Sequence, residues 1–289
     1  MAVYTDFNKN ISIEANDLQI GKNVSFGRDI HIKVRGKFHL GDHSHLGDHV
    51  SMKGENIIIG KHFYYSPLNN LGLVVGGGGN NSPNANLTVG DRCVFHNSLI
   101  NICEPVTIGD DVGLSNYVDI ISHGFWYSVL QGYPAQFNGV NIGNNVIIGW
   151  RSTIMMGVDI ADNTVIGSQS NVVKSLKQSN AVYVGNPAKL VKQIEEPDVV
   201  TKYTMLTSIL DDLKELLDHY NVTIPIVRIN YPYVHITDTK LHADFVFNVD
   251  DFTYKGTESD LTDAIRDFLR KRGIRIYTKR PFAFKLERK

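Results

Sequence analysis

A solenoid of short parallel strands, interrupted by loop insertions and followed by a small α+β domain, is the mainly β architecture that this sequence predicts. Three observations predict it. An aliphatic residue recurs at every sixth position over residues 142–172, glycine or another small residue commonly follows it, and the pattern gives way beyond Pro197 to helical and strand-like periodicities.

The clearest run is Ile142, Ile148, Ile154, Ile160, Ile166 and Val172, with glycine next in Ile142-Gly143, Ile148-Gly149 and Ile166-Gly167. A six-residue period fits neither a helix nor simple strand alternation continued without turns. It fits short strands joined by tight corners, with each aliphatic residue pointing inward and stacking on its equivalents in neighbouring coils. Earlier blocks carry the same signal at Ile20-Gly21, Phe26-Gly27, Leu40-Gly41, Leu46-Gly47, Ile59-Gly60, Val89-Gly90 and Ile108-Gly109. The register slips between blocks, so loops interrupt the coil. Pairs such as Gly109-Asp110 and Gly143-Asn144 are expected at the corners as residues that tolerate positive φ, and β-branched residues suit the flat faces.

Two insertions stand out. Residues 65–87 include Gly76-Gly77-Gly78-Gly79-Asn80-Asn81, with no Gly-Lys-Ser/Thr ending, so the segment reads as a loop and not as a phosphate cradle. Residues 122–141 carry Phe125, Trp126, Tyr127, Tyr133 and Phe137. Long loops on a rigid scaffold tend to carry function.

The repeat ends near Lys174, and the chain is read as two domains, 1–197 and 198–289. Leu206, Ile209, Leu210, Leu213, Leu216 and Leu217 share one helical face over residues 201–220. Apolar runs follow at 222–229, 233–236 and 245–249, then a helix over 258–272 stopped by Gly273, then a strand over 274–277. From Asp263 onward Arg266, Arg270, Lys271, Arg272, Arg275, Lys279, Arg280, Lys285, Arg288 and Lys289 face only Asp263, Asp267 and Glu287. This positive segment is expected to recruit an anionic glycan.

Over all 289 residues the hydrophobic share is 42% and the formal charge −1, which suits a globular protein and excludes a chain built to bind nucleic acid. Cys93 and Cys103 have no partner histidine at zinc-finger spacing and read as small buried hydrophobes. The N-terminus lacks the basic start and apolar core of a signal peptide, and no stretch is long enough to span a bilayer, so the expected location is cytoplasmic.

The segments Asn141-Ile142-Gly143-Asn144-Asn145, Ile166-Gly167-Ser168-Gln169-Ser170 and Val184-Gly185-Asn186-Pro187-Ala188-Lys189 closely resemble the C-terminal coils of the hexapeptide-repeat acetyltransferases that modify galactosides, maltose and polysaccharides. The resemblance covers residues 11–194. It implies a left-handed parallel β-helix with three faces per coil, a homotrimer, and acetyl-CoA lying along the outside of the prism. Carried over by position, Trp150 and Ser168 would flank the pantetheine, and Val173, Lys174, Lys189 and Lys192 would lie near the adenine and phosphates, where lysine acts as a mobile point charge.

His123, where a coil opens into the aromatic loop, matches the family's general base, and imidazole suits that task. The family's maltose and galactoside branch spaces this histidine slightly differently and commonly follows it with proline, whereas here Gly124 follows. Trp150 stands where small residues are common in that branch, and it reads as a pocket wall or as an indole donor to the acceptor or oxyanion. Asn116 or Asp119 could orient the imidazole or the acceptor, and Trp126 could stack on a sugar ring. His43, His49 and His62 occupy corner positions expected to be exposed. They lack the spacing of the trihistidine zinc site in the similar γ-class carbonic anhydrases, so no metal is expected. The resulting expectation is O-acetyl transfer from acetyl-CoA to a sugar hydroxyl of a surface or capsule polysaccharide or its precursor. The alternatives are N-acyl transfer to an amino sugar and a non-catalytic β-helix scaffold.

Overall fold

A computed structural model of the chain describes residues 1–68, 70–77, 82–222, 225–238 and 243–280. Gly78, Gly79, Asn80 and Asn81 of the first insertion, and Lys285, Glu287, Arg288 and Lys289 of the basic tail, lie outside the described residues. The chain divides into two units, Met1–Glu195 and Glu196–Lys289.

The first unit is a left-handed parallel β-helix of about eight turns. Its three faces are sheets of nine, nine and seven strands. The six-residue period is visible in the parallel register, where Ile120 pairs with Ile154 and Ile154 with Val172 on one face, and Leu114 with Ile148 and Ile148 with Ile166 on another. Those aliphatic side chains are buried in one continuous core that runs from Ile11 to Tyr183. Antiparallel strands close the two ends: Ala2–Asp6 lies on Ile11–Ala15, and Lys189–Gln193 lies on Ala181–Val184.

The corners correct one expectation. The left-handed residue is the one after the Gly-Asp or Gly-Asn pair: His43, Arg92, Asp111 and Asn145 have φ of 60°, 61°, 58° and 54°, and His62, after Gly60-Lys61, has φ 55°. The pair itself does other work. A Cβ on Gly41 would stand 2.4 Å from the carbonyl carbon of Gly60, and one on Gly60 2.6 Å from that of Gly90, so glycine permits the close stacking of coils. The next side chain stitches coils together. Asp42 Oδ1 accepts from the Lys22 N–H at 2.7 Å, Asp91 Oδ1 from that of Lys61 at 2.7 Å, and Asn144 Oδ1 from that of Asp110 at 2.9 Å. His43, His49 and His62 are half-buried and not exposed, because corner residues stack upon one another; the His43 and His62 rings are 5.1 Å apart and nearly parallel.

The first insertion is also shorter than expected. Within it Leu73–Gly76 is a regular rung, paired to Val50, Ser51 and Met52 below and to Ser98–Asn101 above, with Leu73 and Val75 buried. Cys93 and Cys103 are free and buried.

In the second unit, helix α1 (Val199–His219) starts at Asp198, whose carboxylate accepts from the Thr201 N–H at 2.7 Å. A meander of four antiparallel strands follows: Ile226–Asn230, Tyr233–Asp238, Ala243–Asn248 and Thr253–Gly256. Helix α2 (Asp260–Arg270) begins with a Ser259/Thr262 capping box, and Gly273 beyond it has φ 83°. Leu206, Leu210, Leu213 and Leu217 of α1, Leu261, Ile265 and Leu269 of α2, and Val234, Ile236, Phe245 and Phe247 of the sheet form one core.

Residues 274–277 are not a strand. Ile276 is buried, and its carbonyl accepts from Arg266 Nε at 3.0 Å where a strand partner would bond. The expected positive patch is largely engaged within the unit. Arg266 and Asp263 form a buried pair at 2.9 Å, Arg270 and Lys271 meet Asp267 at 2.6 and 2.8 Å, Arg272 reaches Asp212 at 3.0 Å, and Arg280 pairs with Asp260 and Asp263.

Candidate active site

His123 stands where strand Val118–Ile120 runs out into the aromatic loop, and it pairs with Phe137 in a two-stranded hairpin, His123–Gly124 against Gln136–Phe137. Its ring lies 5.6 Å from that of Phe125 and 5.8 Å from that of Phe137, whose own rings are 5.4 Å apart. The imidazole is therefore half-buried, with an aromatic wall on one side.

The partner of His123 is Asn101, from the coil before, and not Asn116 or Asp119. Asn101 Oδ1 faces three groups: the Cys103 N–H at 3.1 Å, Ser122 Oγ at 2.7 Å and His123 Nδ1 at 2.9 Å. A main-chain N–H can only donate, so the amide atom facing Cys103 is the oxygen. The imidazole nitrogen facing that same oxygen must then carry the proton. Nδ1 is N–H, and Nε2 holds the lone pair, which is the tautomer a general base needs. Ser122 Oγ, which donates to Asn101, accepts in turn from the Glu104 N–H at 3.1 Å. Close backbone approach seats the amide, since a Cβ on Gly77, at φ 134°, would stand 2.1 Å from Asn101 Nδ2.

Asn101 carried a signal in the sequence. It is a polar residue inside the apolar run Leu99-Ile100-Asn101-Ile102-Cys103 and is buried here. Only the pairing of Ile100 with Ile120 brings it under Ser122 and His123.

The remaining sequence-derived residues fall into two columns at opposite edges of one face. At the edge where strands enter, the Asn116 carbonyl accepts from the Arg151 N–H at 3.1 Å and the Trp150 carbonyl from the Gln169 N–H at 2.7 Å, which stacks Asn116, Trp150 and Ser168 in successive coils. Trp150 is partly exposed there, with the Arg151 guanidinium 4.3 Å from its ring centre and the Tyr117 ring 6.0 Å away. Asn116 Oδ1 is buried without a hydrogen-bond partner. At the edge where strands leave, Ile121 hydrogen-bonds to Ile154 and Met155 to Val172, so Val173 and Lys174 stand two coils above Ile121 and Ser122. Met156 fills the step between, and a Cβ on Gly124 would meet its Cε at 3.3 Å.

Strands rise about 3.3 Å per residue, so the intervening strand separates the columns by at least ~10 Å. Within one chain His123 is on the same edge as Val173 and Lys174 and apart from Trp150 and Ser168. Asp119, on the strand between, is half-buried, and burial raises its carboxyl above the usual range. Lys189 and Lys192 lie exposed on the closing strand. Among the described residues neither they nor Lys174 forms an ion pair. Trp126 is 85% exposed in the loop. Among the described residues no His, Cys, Asp and Glu group could hold a metal ion, and no helix is long and apolar enough to cross a membrane.

No protein-family model and no curated protein sequence matches this chain. Solved structures similar to it include a hexapeptide-repeat acetyltransferase from Vibrio cholerae, with 17% identity, 62% of this chain and 74% of that chain covered, and a TM-score of 0.36. A maltose O-acetyltransferase from Clostridium difficile matches at 25% identity over 62% of this chain and 70% of its own, with a TM-score of 0.34. An N-acyltransferase from Bacillus cereus, solved with dTDP and 3-hydroxybutyryl-CoA, matches at 18% identity over 66% and 91%, with a TM-score of 0.44. By its own six-residue repeat, its parallel rungs and its corner glycines, the first unit of this chain is a hexapeptide-repeat parallel β-helix.

Proposed function

We propose that the chain is an acyltransferase that moves acetyl from acetyl-CoA, as the acyl-donating substrate, to a sugar hydroxyl of a glycan. The observation that carries this reading is the Asn101–His123 hydrogen bond of 2.9 Å, which leaves Nε2 as a proton acceptor beside an aromatic wall. His123 Nε2 takes the acceptor hydroxyl's proton as that oxygen attacks the thioester carbonyl. Asn101 holds the imidazole and stabilises its charged form by accepting from Nδ1. The proton on Nε2 then passes to the departing thiolate, so that the ester and free CoA are the products. Backbone N–H groups are the proposed oxyanion donors.

Lys174, Lys189 and Lys192 fit a role at the phosphates, because all three are exposed, and Val173 sits beside Lys174. Trp150 and Ser168 are assigned to the pantetheine, with Trp150 also a candidate donor to the reacting groups. Asn116, with its unpaired Oδ1, and Trp126 are assigned to the acceptor. Within one chain His123 and Trp150 stand at opposite edges of a face, so a reacting centre that uses both is completed between copies. A homotrimer meets this need with one repeated interface. The acceptor assigned is a surface or capsule polysaccharide or its precursor, and dependence on acetyl-CoA would place the reaction in the cytoplasm.

The test is a product assay with acetyl-CoA and matched sugars bearing a hydroxyl or an amine at the same carbon. Release of CoA with an O-acetyl product supports the reading. Acylation of the amine alone would assign N-acyl transfer, and failure to bind CoA by calorimetry would leave a scaffold.

A further inference from the structure

The second unit carries a surface that acyl transfer at His123 does not use. Val234, Ile236, Phe245 and Phe247 point from the sheet into the core with the helices, so alternate residues of each strand face the other way. On that outer face the register sets Arg228 opposite His235, His235 opposite Val246, and Val246 opposite Lys255. Arg228, His235 and Lys255 are all exposed. Among the described residues no carboxylate pairs with any of them. Asp244 lies one row away, where it accepts from Thr237 Oγ1 at 2.7 Å. Arg228 and Lys255 hold the fixed positive charges at the two ends of the row, and among the described residues no carboxylate stands in it.

A depression of about 330 Å³ lies on the same face, lined among others by Tyr233, His235, Val246, Thr253 and Lys255. Tyr233 is 45% exposed and can offer its ring to the apolar face of a sugar. From Arg228 to Lys255 the row crosses four strands, which at the usual spacing is about 14 Å. That is the reach of an extended oligomer and not of a single small anion.

From this geometry we infer that the outer face of the C-terminal sheet binds a carboxylate-bearing oligosaccharide, with Arg228 and Lys255 meeting carboxylates and Tyr233 packing on a ring. A planar guanidinium takes a carboxylate in bidentate fashion, and lysine serves as a point charge. Single-stranded nucleic acid fits less well, because it calls for several stacking platforms. Of the two tyrosines that line the depression, Tyr254 stacks its ring on Phe245 against the core, which leaves Tyr233 as the exposed ring. That the bound saccharide is also the acetyl acceptor rests on the acyl-transfer reading; binding itself does not.

The experiment is calorimetric titration of the full chain, without acetyl-CoA and at low salt, with a pentagalacturonate. Its methyl-esterified neutral form and a single-stranded oligonucleotide of equal charge serve as comparisons. Binding of the uronate above both, weakened about tenfold or more in Arg228→Gln/Lys255→Gln and several-fold in Tyr233→Ala, is expected. The weakening should shrink as salt rises, since screening shortens the attraction to about 10 Å at 0.1 M. No uronate binding, unchanged binding in the double variant, or equal or tighter binding of the oligonucleotide overturns the assignment. Uronate binding by a chain that transfers no acetyl would retain this site while removing the acyl-transfer reading. In the converse case, the double variant should still acetylate a small neutral sugar at the wild-type rate.

Discussion

Asn101 Oδ1 accepts from His123 Nδ1 at 2.9 Å while accepting from the Cys103 N–H, and this fixes which imidazole nitrogen is free. A carboxylate in place of the amide would keep that acceptor and add a charge that favours the imidazolium. Asn101→Asp should therefore move the acid limb of the kcat/KM profile to higher pH, because the base must lose its proton before it can act. An unmoved acid limb would separate Asn101 from the reacting imidazole.

The stacked corner histidines make the early coils sensitive to acid. Burial first, and then the neighbouring His43, hold His62 below the ordinary histidine value. The unfolded chain therefore takes up the proton before the folded one does, so this contribution is complete above about pH 6.5 and is lost as pH falls below it. His62→Asn keeps a residue suited to φ 55°. The wild type should lose more of its urea midpoint between pH 7 and pH 5 than this variant does. Equal losses would remove the stack as the cause.

Gly41 is held by proximity, with backbone atoms of Gly60 and Lys61 about 2.5 Å from where its Cβ would be. Gly41→Ala should lower stability by about 1–3 kcal/mol in urea unfolding, because backbone cannot yield as a flexible side chain does. A wild-type midpoint would mean that the coils can part there without cost.

Asp263 is buried against Arg266, itself buried, and also faces Arg280. Asp263→Asn leaves a buried guanidinium without its counter-charge, a loss of about 3–5 kcal/mol. Limited proteolysis should then cut within residues 196–289 first, while the β-helix stays protected. Equal resistance of the two units would contradict a local role for the pair.

Much of the first unit was legible because one residue in six has a single job, stacking in the core, and Ile142 through Val172 do it without interruption. Leu73–Gly76 escaped because glycines and asparagines surround a rung only four residues long. Thr253–Gly256 escaped because Tyr254 is the one apolar side chain it turns toward the core. His123 could be picked from its place at the mouth of the loop. Asn101 could not, since its role depends on which coil lies beneath which, and that register is set by insertions whose lengths carry no periodic signal. The basic C-terminal segment misled for a related reason: counting charges does not reveal that Asp267 meets Arg270 and Lys271, or that Asp212, far earlier in the chain, meets Arg272.

The most direct measurement is acetyl transfer by His123→Ala alongside calorimetric binding of CoA. Loss of a general base alone removes about 10²- to 10⁴-fold in rate, and of CoA the mechanism brings only the sulfur to His123 Nε2, not the pantetheine or the phosphates assigned to other residues. The expected result is a fall of that size in kcat with CoA affinity within about twofold of wild type. Wild-type turnover in the variant would contradict it and take His123 out of the reaction.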